Sequence, residues 1–152
     1  MNELELYIDG ASKGNPGHSG IGVVIVKDKQ TIKNIYQYIG HATNNAAEYT
    51  ALIYGLQESL MLKADTVKVN TDSELLYNQL LGKYKVKTEH LKPLFDQAQT
   101  LARTFQDVKI TLVPREKNKE ADQLANKAFK KEQTKGVASA FSVGEESPSS
   151  EG

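Results

Sequence analysis

Three stretches near the start of the chain carry the apolar pattern of β-strands. Residues 3–9 alternate between apolar and polar side chains, residues 21–26 are rich in β-branched side chains, and residues 31–39 alternate roughly again. Runs of this kind, separated by short turns rich in Gly, Pro and Lys, are typical of antiparallel strands that follow one another in sequence. We therefore predict that the chain opens with a three-stranded antiparallel meander.

Apolar residues then recur at intervals of three and four, which is typical of helices with one buried face. Helices are predicted over residues 44–61, 73–81, 89–104 and 120–129. Two short apolar runs predict further strands over residues 66–70 and 108–113. Because helices connect these strands to each other and to the first strand, we expect the three to be parallel. The pattern predicts an α/β fold in which helices flank a five-stranded mixed sheet, made of the meander and two parallel strands.

The composition changes near the C-terminal end of the chain. Beyond residue 133 Gly, Ser, Ala, Glu and Pro dominate, and apolar residues no longer recur with a helical or strand period. Such segments bury too little apolar surface to order themselves. We therefore divide the 152 residues into one domain over 1–132 and a disordered tail over 133–152.

The composition also limits the chemistry. The chain has no cysteine, which excludes disulfides and thiolate metal sites. His18, His41 and His90 are too scattered in sequence to suggest a zinc motif. No apolar run approaches the length of a membrane span, and the N-terminus lacks a signal-peptide pattern. We expect a cytoplasmic protein that does not interact with membranes.

Charge is balanced overall but uneven along the chain. The formal net charge is zero, whereas the tail from residue 133 carries one Lys and three Glu. Two groups of lysines fall in the domain, over residues 83–92 and 117–131. A local basic patch is compatible with nucleic-acid binding even when the total charge is zero. A solvated lysine surface is the equally acceptable alternative.

Four acidic residues occupy special places in the predicted elements, namely Asp9, Glu48, Asp72 and Asp122. Each has a purely structural explanation: Asp9 as a turn former, Glu48 as the capping-box partner of Asn45, Asp72 as a helix N-cap and Asp122 as an exposed helix residue. In parallel sheets, however, ligands bind beyond the carboxyl ends of the strands, where these acids would meet. Carboxylates gathered there repel one another unless a hard cation such as Mg²⁺ or Mn²⁺ neutralises them.

Taken in order, four short motifs resemble those of the type 1 ribonuclease H family. They are IDGAS with GNPG in residues 8–17, TNNAAE in residues 43–48, TDS in residues 71–73, and REKN through AD in residues 115–122. Each motif alone is weak, but the ordered set is specific, and the resemblance covers about residues 3–130. It implies a ribonuclease H-like fold and cleavage of the RNA strand of RNA/DNA hybrids.

The resemblance also implies roles for individual residues. Asp9, Glu48, Asp72 and Asp122 resemble the catalytic metal-binding carboxylates, with Asp9 shared between two Mg²⁺ ions and Mn²⁺ as an alternative ion. Arg115 resembles the residue that some relatives use where others have a histidine. The implied substrate-binding residues are the minor-groove contacts Asn15, Asn44 and Asn45, the phosphate contact Thr43, and Ser73, Lys85 and Lys87.

Two departures from the family pattern keep other functions open. The loop over residues 114–118 lacks the family's histidine, and the short segment 82–88, with three lysines, replaces a long basic helical handle. The main hypothesis is a two-metal endonuclease that acts on RNA/DNA hybrids as a monomer without a protein partner. The alternatives are a nucleic-acid-binding module with weak or lost catalysis, and a related metal nuclease with a different substrate.

Overall fold

The computed structural model describes the backbone of residues 1–134 and 143–146. Within these residues six strands and four α-helices follow one another in a mixed order. They are β1 (Glu3–Lys13), β2 (Gly17–Lys27), β3 (Gln30–Ala42), α1 (Asn44–Met61), β4 (Thr66–Thr71), α2 (Glu74–Leu80), α3 (Lys92–Ala102), β5 (Asp107–Leu112), α4 (Lys119–Thr134) and β6 (Val143–Glu146). Two 3₁₀ turns, Glu89–Leu91 and Arg115–Lys117, precede α3 and α4.

The strands form one sheet in the order β5-β4-β1-β2-β3-β6. β1 pairs in parallel with β4, and β4 with β5, whereas β1, β2 and β3 are antiparallel neighbours. The predicted mixed sheet of five strands, β1 to β5, is therefore confirmed, and β6 adds a sixth strand beside β3. Helices lie in the connections between the parallel strands, because the chain must cross back to the starting end of the sheet before the next parallel strand begins.

β1 extends further than its apolar pattern indicated. Its pairing with β4 ends at Tyr7 opposite Asn70, but its pairing with β2 continues to Lys13 opposite His18. Asp9 was predicted at a strand tip, whereas it lies inside β1, just past the last residue that pairs with β4. Beyond Tyr7, β1 no longer has β4 beside it, which leaves an open edge of the sheet at Asp9. Asp72, the residue after β4, lies at the same edge.

Helices cover both faces of the sheet. The alternation of side chains along β2 sends Val23 into the cluster under α1 and Val24 into a second cluster under α4. Gly10 allows α1 to approach β1 closely, because a Cβ there would lie 2.4 Å from the backbone carbon of Ala47. Gly22 similarly allows α4 to approach β2, since a Cβ would lie 2.2 Å from the Ala121 oxygen.

Two predictions about the ends of elements are wrong. The helix predicted over 89–104 begins as a 3₁₀ turn and continues as the shorter α3, and α4 extends five residues beyond its predicted end at Phe129. The prediction of disorder is wrong for Val143–Glu146, which forms β6 beside β3. An edge strand offers unpaired backbone groups to any extended segment, so this pairing needs no apolar period in the sequence. The rest of the predicted tail beyond Thr134 lies outside the described residues.

No helix in the described part of the chain is both long enough and apolar enough to cross a membrane.

Candidate active site

Three carboxylates meet at the open edge between β1 and β4. Asp9 comes from β1, Glu48 from the start of α1, and Asp72 from the residue directly after β4. One oxygen from each lies within 4.8 Å of the other two. The parallel pairing of β1 with β4 brings two of the acids together, and the close approach of α1 at Gly10 brings the third.

Glu48 is held by β1 rather than by the start of its own helix. Its Oε1 accepts a hydrogen bond from the Gly10 backbone N–H at 3.1 Å. The α1 N-cap is Thr43, whose Oγ1 accepts from Ala46 N at 3.1 Å. The predicted capping box of Asn45 and Glu48 is therefore wrong. Asn45 is already inside the helix, and the Glu48 carboxylate bonds to β1 instead.

Asp72 is not a helix cap either. Ser73 caps α2, since its Oγ accepts from Leu76 N at 3.1 Å. The structural explanation of Asp72 as an N-cap is thus wrong, and its carboxylate remains available at the cluster. Ser73 itself was predicted to contact substrate; it is partly buried and follows Asp72 directly in the chain, and its hydroxyl is engaged by the Leu76 N–H.

Asn118 is a buried residue of the site that the sequence did not reveal. Its Nδ2 donates to the Ile8 carbonyl at 2.8 Å and lies 3.4 Å from Asp72 Oδ2. The side chain is 1% exposed, and it connects the backbone just before Asp9 to the second acid. The only sequence signal was an Asn before a helix, which is also typical of an ordinary cap.

Asp122 lies beside the three clustered acids but is not part of their close group. It is partly buried in the first turn of α4, so it is not the exposed helix residue of the structural alternative. Its carboxyl group lies near that of Asp9 and contributes to raising the pKa of Asp9. Asn126 Nδ2 contacts Asp122 Oδ1 at 3.3 Å and limits its orientation.

Burial and neighbouring negative charge make Asp9 and Glu48 hard to ionise. Burial raises the pKa of Asp9 well above its ordinary value of 3.8, and the charges of Glu48 and Asp72 raise it further. Burial and the charge of Asp72 also raise the pKa of Glu48, although the Gly10 N–H and Arg115 act in the opposite direction. A set of repelling oxygen donors fits a hard divalent cation, which would favour their ionised forms.

Arg115 is exposed in the 3₁₀ turn before α4. Its positive charge lowers the pKa of Glu48, which indicates that the guanidinium lies within electrostatic range of the acids. The structure therefore brings this predicted residue to the edge of the site without a direct contact to a carboxylate in the described part of the chain.

The predicted minor-groove residues also meet, although they are distant in sequence. Asn15 Oδ1 accepts from the Asn44 backbone N–H at 3.0 Å and so connects the β1–β2 turn to the start of α1. Asn15, Asn44 and Asn45 are all exposed. Thr43 Oγ1, the predicted phosphate contact, lies 3.2 Å from His90 Nε2. Together these residues form an exposed polar rim on the α1 side of the acids.

Lys85 and Lys87 lie in the segment between α2 and the 3₁₀ turn that precedes α3. Both side chains are exposed, and neither forms an ion pair within the described residues. The Lys85 carbonyl accepts a bond from Gln79 Nε2 at 3.4 Å. The two lysines are thus free to contact a ligand, but the structure does not bring them into the carboxylate cluster.

A mixed sheet of this order, with acids gathered beyond the paired part of β1 and β4, is the arrangement expected of a ribonuclease H-like protein. The Reverse transcriptase-like family model matches residues 7–128, and the chain belongs to that family. Two solved structures narrow the class. RNase H1 from Halobacterium salinarum is 38% identical with a TM-score of 0.84, covering 86% of this chain and 99% of that one. LC11-RNase H1 in complex with RNA/DNA hybrid is 40% identical with a TM-score of 0.81, over the same shares of each chain. The chain is a member of the type 1 ribonuclease H family.

A curated relative shows the same domain inside a longer protein. Bifunctional protein Rv2228c of Mycobacterium tuberculosis is 43% identical over 129 residues, which are 84% of this chain and 35% of that protein. The chain therefore spans about a third of the length of this relative, and likeness to it concerns one domain only.

Proposed function

We propose that the protein is a metal-dependent endonuclease that hydrolyses the RNA strand of RNA/DNA hybrids and leaves 5′-phosphate and 3′-hydroxyl ends. The single observation that carries the proposal is the group formed by Asp9, Glu48 and Asp72, with oxygens within 4.8 Å of one another. Membership of the type 1 ribonuclease H family and the likeness to a structure that contains an RNA/DNA hybrid support the choice of substrate.

Mg²⁺ is the metal that the donor set fits best, with Mn²⁺ as an alternative, because every ligand offered is a carboxylate oxygen. Asp9, Glu48 and Asp72 would hold it, with Asp122 beside them. When bound, a pair of such ions supplies an activated water and stabilises the negative charge on the leaving 3′ oxygen.

The residues around the acids set their positions before any ligand binds. The Gly10 N–H holds the Glu48 carboxylate, and Asn118 connects Asp72 to the end of the paired part of β1. Fixing charged ligands in place reduces the reorganisation that catalysis would otherwise require. We assign Asn118 a positioning role, because its amide group is buried and contacts both Asp72 and the Ile8 carbonyl.

Choice of the RNA strand would rest on the polar rim. Contacts from lysines to phosphates give affinity without distinguishing one duplex from another. The 2′-hydroxyl distinguishes RNA from DNA, and it lies in the wide minor groove of a hybrid. Asn15, Asn44 and Asn45 offer exposed amide groups on one side of the acids, and the bond from Asn44 N to Asn15 fixes their relative positions. Thr43 would contact a phosphate of the DNA strand.

Cleavage of an end-labelled RNA/DNA hybrid tests the proposal. Cleavage is expected with Mg²⁺ or Mn²⁺, and none is expected with EDTA, with a DNA duplex, or with the Asp72→Asn variant. Binding of the hybrid without cleavage under any metal condition would favour the nucleic-acid-binding module instead. Equal cleavage of a DNA duplex would favour a metal nuclease with a different substrate. The monomeric state and the cytoplasmic location remain predictions, which gel filtration and cell fractionation would test.

A further inference from the structure

Two histidines that are far apart in sequence lie side by side on the sheet. His18 of β2 is directly opposite His41 of β3 in the strand register. Their ring centres are 4.7 Å apart, with the ring planes inclined at 47°. Both side chains are exposed. The three histidines are far apart in sequence, but the antiparallel pairing of β2 with β3 brings two of them together.

Tyr38 leaves His18 with one nitrogen available to a ligand. The Tyr38 hydroxyl lies 2.6 Å from His18 Nδ1, so the free ring nitrogen is Nε2. In protein metal sites the second nitrogen of a ligating histidine is usually held by such a partner, which sets the tautomer and the orientation of the ring. When Nδ1–H donates to the tyrosine oxygen, the lone pair is on Nε2, where a metal ion can bind.

The spacing of the rings fits a single shared ion. Bonds of about 2.0–2.1 Å from zinc to each imidazole nitrogen, at a tetrahedral angle, put the two ring centres roughly 5 Å apart. The observed separation is 4.7 Å. Small changes in side-chain torsion angles, which exposed residues make easily, would suffice to direct both free nitrogens at one ion.

The backbone under the pair is held firmly. The next residue pair in the register is Gly17 opposite Ala42, and the Ala42 carbonyl accepts from Ser12 Oγ at 3.0 Å and from Ser19 Oγ at 3.1 Å. A site on paired strands positions its ligands better than a site on a loop. This end of β2 and β3 is therefore a suitable base for a metal site.

We propose that His18 and His41 bind a divalent transition-metal ion of the Zn²⁺, Ni²⁺ or Cu²⁺ type, with water completing its coordination. Imidazole suits these ions, whereas carboxylate oxygens suit Mg²⁺ and Mn²⁺. The histidine pair and the cluster of Asp9, Glu48 and Asp72 thus differ in donor type, and the protein has two divalent-cation sites with different metal preferences.

Titration with Zn²⁺ tests the site in the full-length chain without an affinity tag, at pH 7.5 and with Mg²⁺ in excess. Calorimetry is expected to show one Zn²⁺ bound per chain. His18→Ala and His41→Ala should each abolish or strongly weaken binding, and Tyr38→Phe should weaken it by about 10-fold. His90→Ala is the matched control, because it removes the one histidine outside the pair, and it should leave binding unchanged.

Electron paramagnetic resonance of bound Cu²⁺ gives a second readout, which begins with the parent protein. Coupling to imidazole nitrogen in the parent protein supports the site, and reduction of that coupling in His18→Ala identifies the ligand. The proposal is overturned if the Cu²⁺ spectrum shows only oxygen ligands. It is equally overturned if Zn²⁺ binding survives in both single variants but disappears in Asp72→Asn, since the ion would then occupy the acidic cluster.

Discussion

Replacing Asp9 by Asn should separate stability from activity, because the carboxylate is unfavourable in the metal-free fold. Asp9 is only 5% exposed, and burial, Glu48, Asp122 and Asp72 all raise its pKa from 3.8. The native state therefore binds more protons than the unfolded state between about pH 4 and the raised pKa of Asp9, which is about 10. Stability of the metal-free protein should fall as pH rises through that window.

The size of the effect follows from the overall stability of such a domain. Between the unfolded and folded pKa values, each pH unit costs about 1.4 kcal/mol of stability, because the unfolded state loses the proton that the native state keeps. A domain stable by roughly 5–15 kcal/mol can hold only a few kcal/mol of such repulsion. We expect Asp9→Asn to stabilise the metal-free protein by about 1–3 kcal/mol at pH 8. This corresponds to a rise in Tm of about 3–10 °C for a chain of this length.

Thermal unfolding followed by circular dichroism in EDTA, at pH 5 and pH 8, is the assay. The gain from Asp9→Asn should be larger at pH 8 than at pH 5, because the asparagine does not titrate. Asp96→Asn, which makes the same change at an exposed position of α3, should alter Tm little at either pH. Mg²⁺ should stabilise the parent more than Asp9→Asn, by mass action on the ionised cluster, and cleavage should be lost. A variant that melts several degrees below the parent at pH 8 would refute the argument and make Asp9 a structural residue.

Four further changes test other parts of the structure. Asn45→Ala should reduce hybrid cleavage by about one to two decades, the cost of roughly 1–3 kcal/mol for one polar contact, with the Tm unchanged; equal cleavage would exclude Asn45 from strand choice. Lys85→Gln or Lys87→Gln should weaken hybrid and DNA duplex alike and lower the salt slope by about one phosphate contact, as measured by fluorescence anisotropy; a change in selectivity would contradict this. Gly10→Ala should lower the free energy of unfolding by about 1–3 kcal/mol, as measured by denaturant unfolding, and also slow cleavage. A Cβ 2.4 Å from the backbone of Ala47 must displace the start of α1. Unchanged stability and cleavage would show that α1 moves away at little cost. A chain that ends at Thr134 should cleave hybrid at the parental rate, since β6 pairs with β3 at the edge of the sheet away from the acids. It should melt a few degrees lower, and lost cleavage would place the C-terminal segment in the active site.

The elements and the acids were predictable from the sequence. Burial of one face imposes a period near two on strands and near 3.6 on helices, so the runs that became β2 and α1 were visible without a structure. Helical connections between β1, β4 and β5 made parallel pairing the expected arrangement, and this placed Asp9 and Asp72 at one edge. The four motifs then indicated the family.

Tertiary structure alone decided which side chain does what at that edge. Thr43 and Ser73 cap their helices, which leaves Glu48 and Asp72 for the cluster. The sequence does not show which of several neighbouring polar residues is the cap, because each could accept from the same helix N–H groups. Asn118 belongs to the site because its buried amide nitrogen contacts the Ile8 carbonyl in β1 and the carboxylate of Asp72, the residue after β4. These partners are far from Asn118 in sequence. The His18–His41 pair and the β6–β3 ladder also depend on strand pairing. Which residues stand opposite each other depends on both strands and on the turn between them, so neither strand alone identifies the partner.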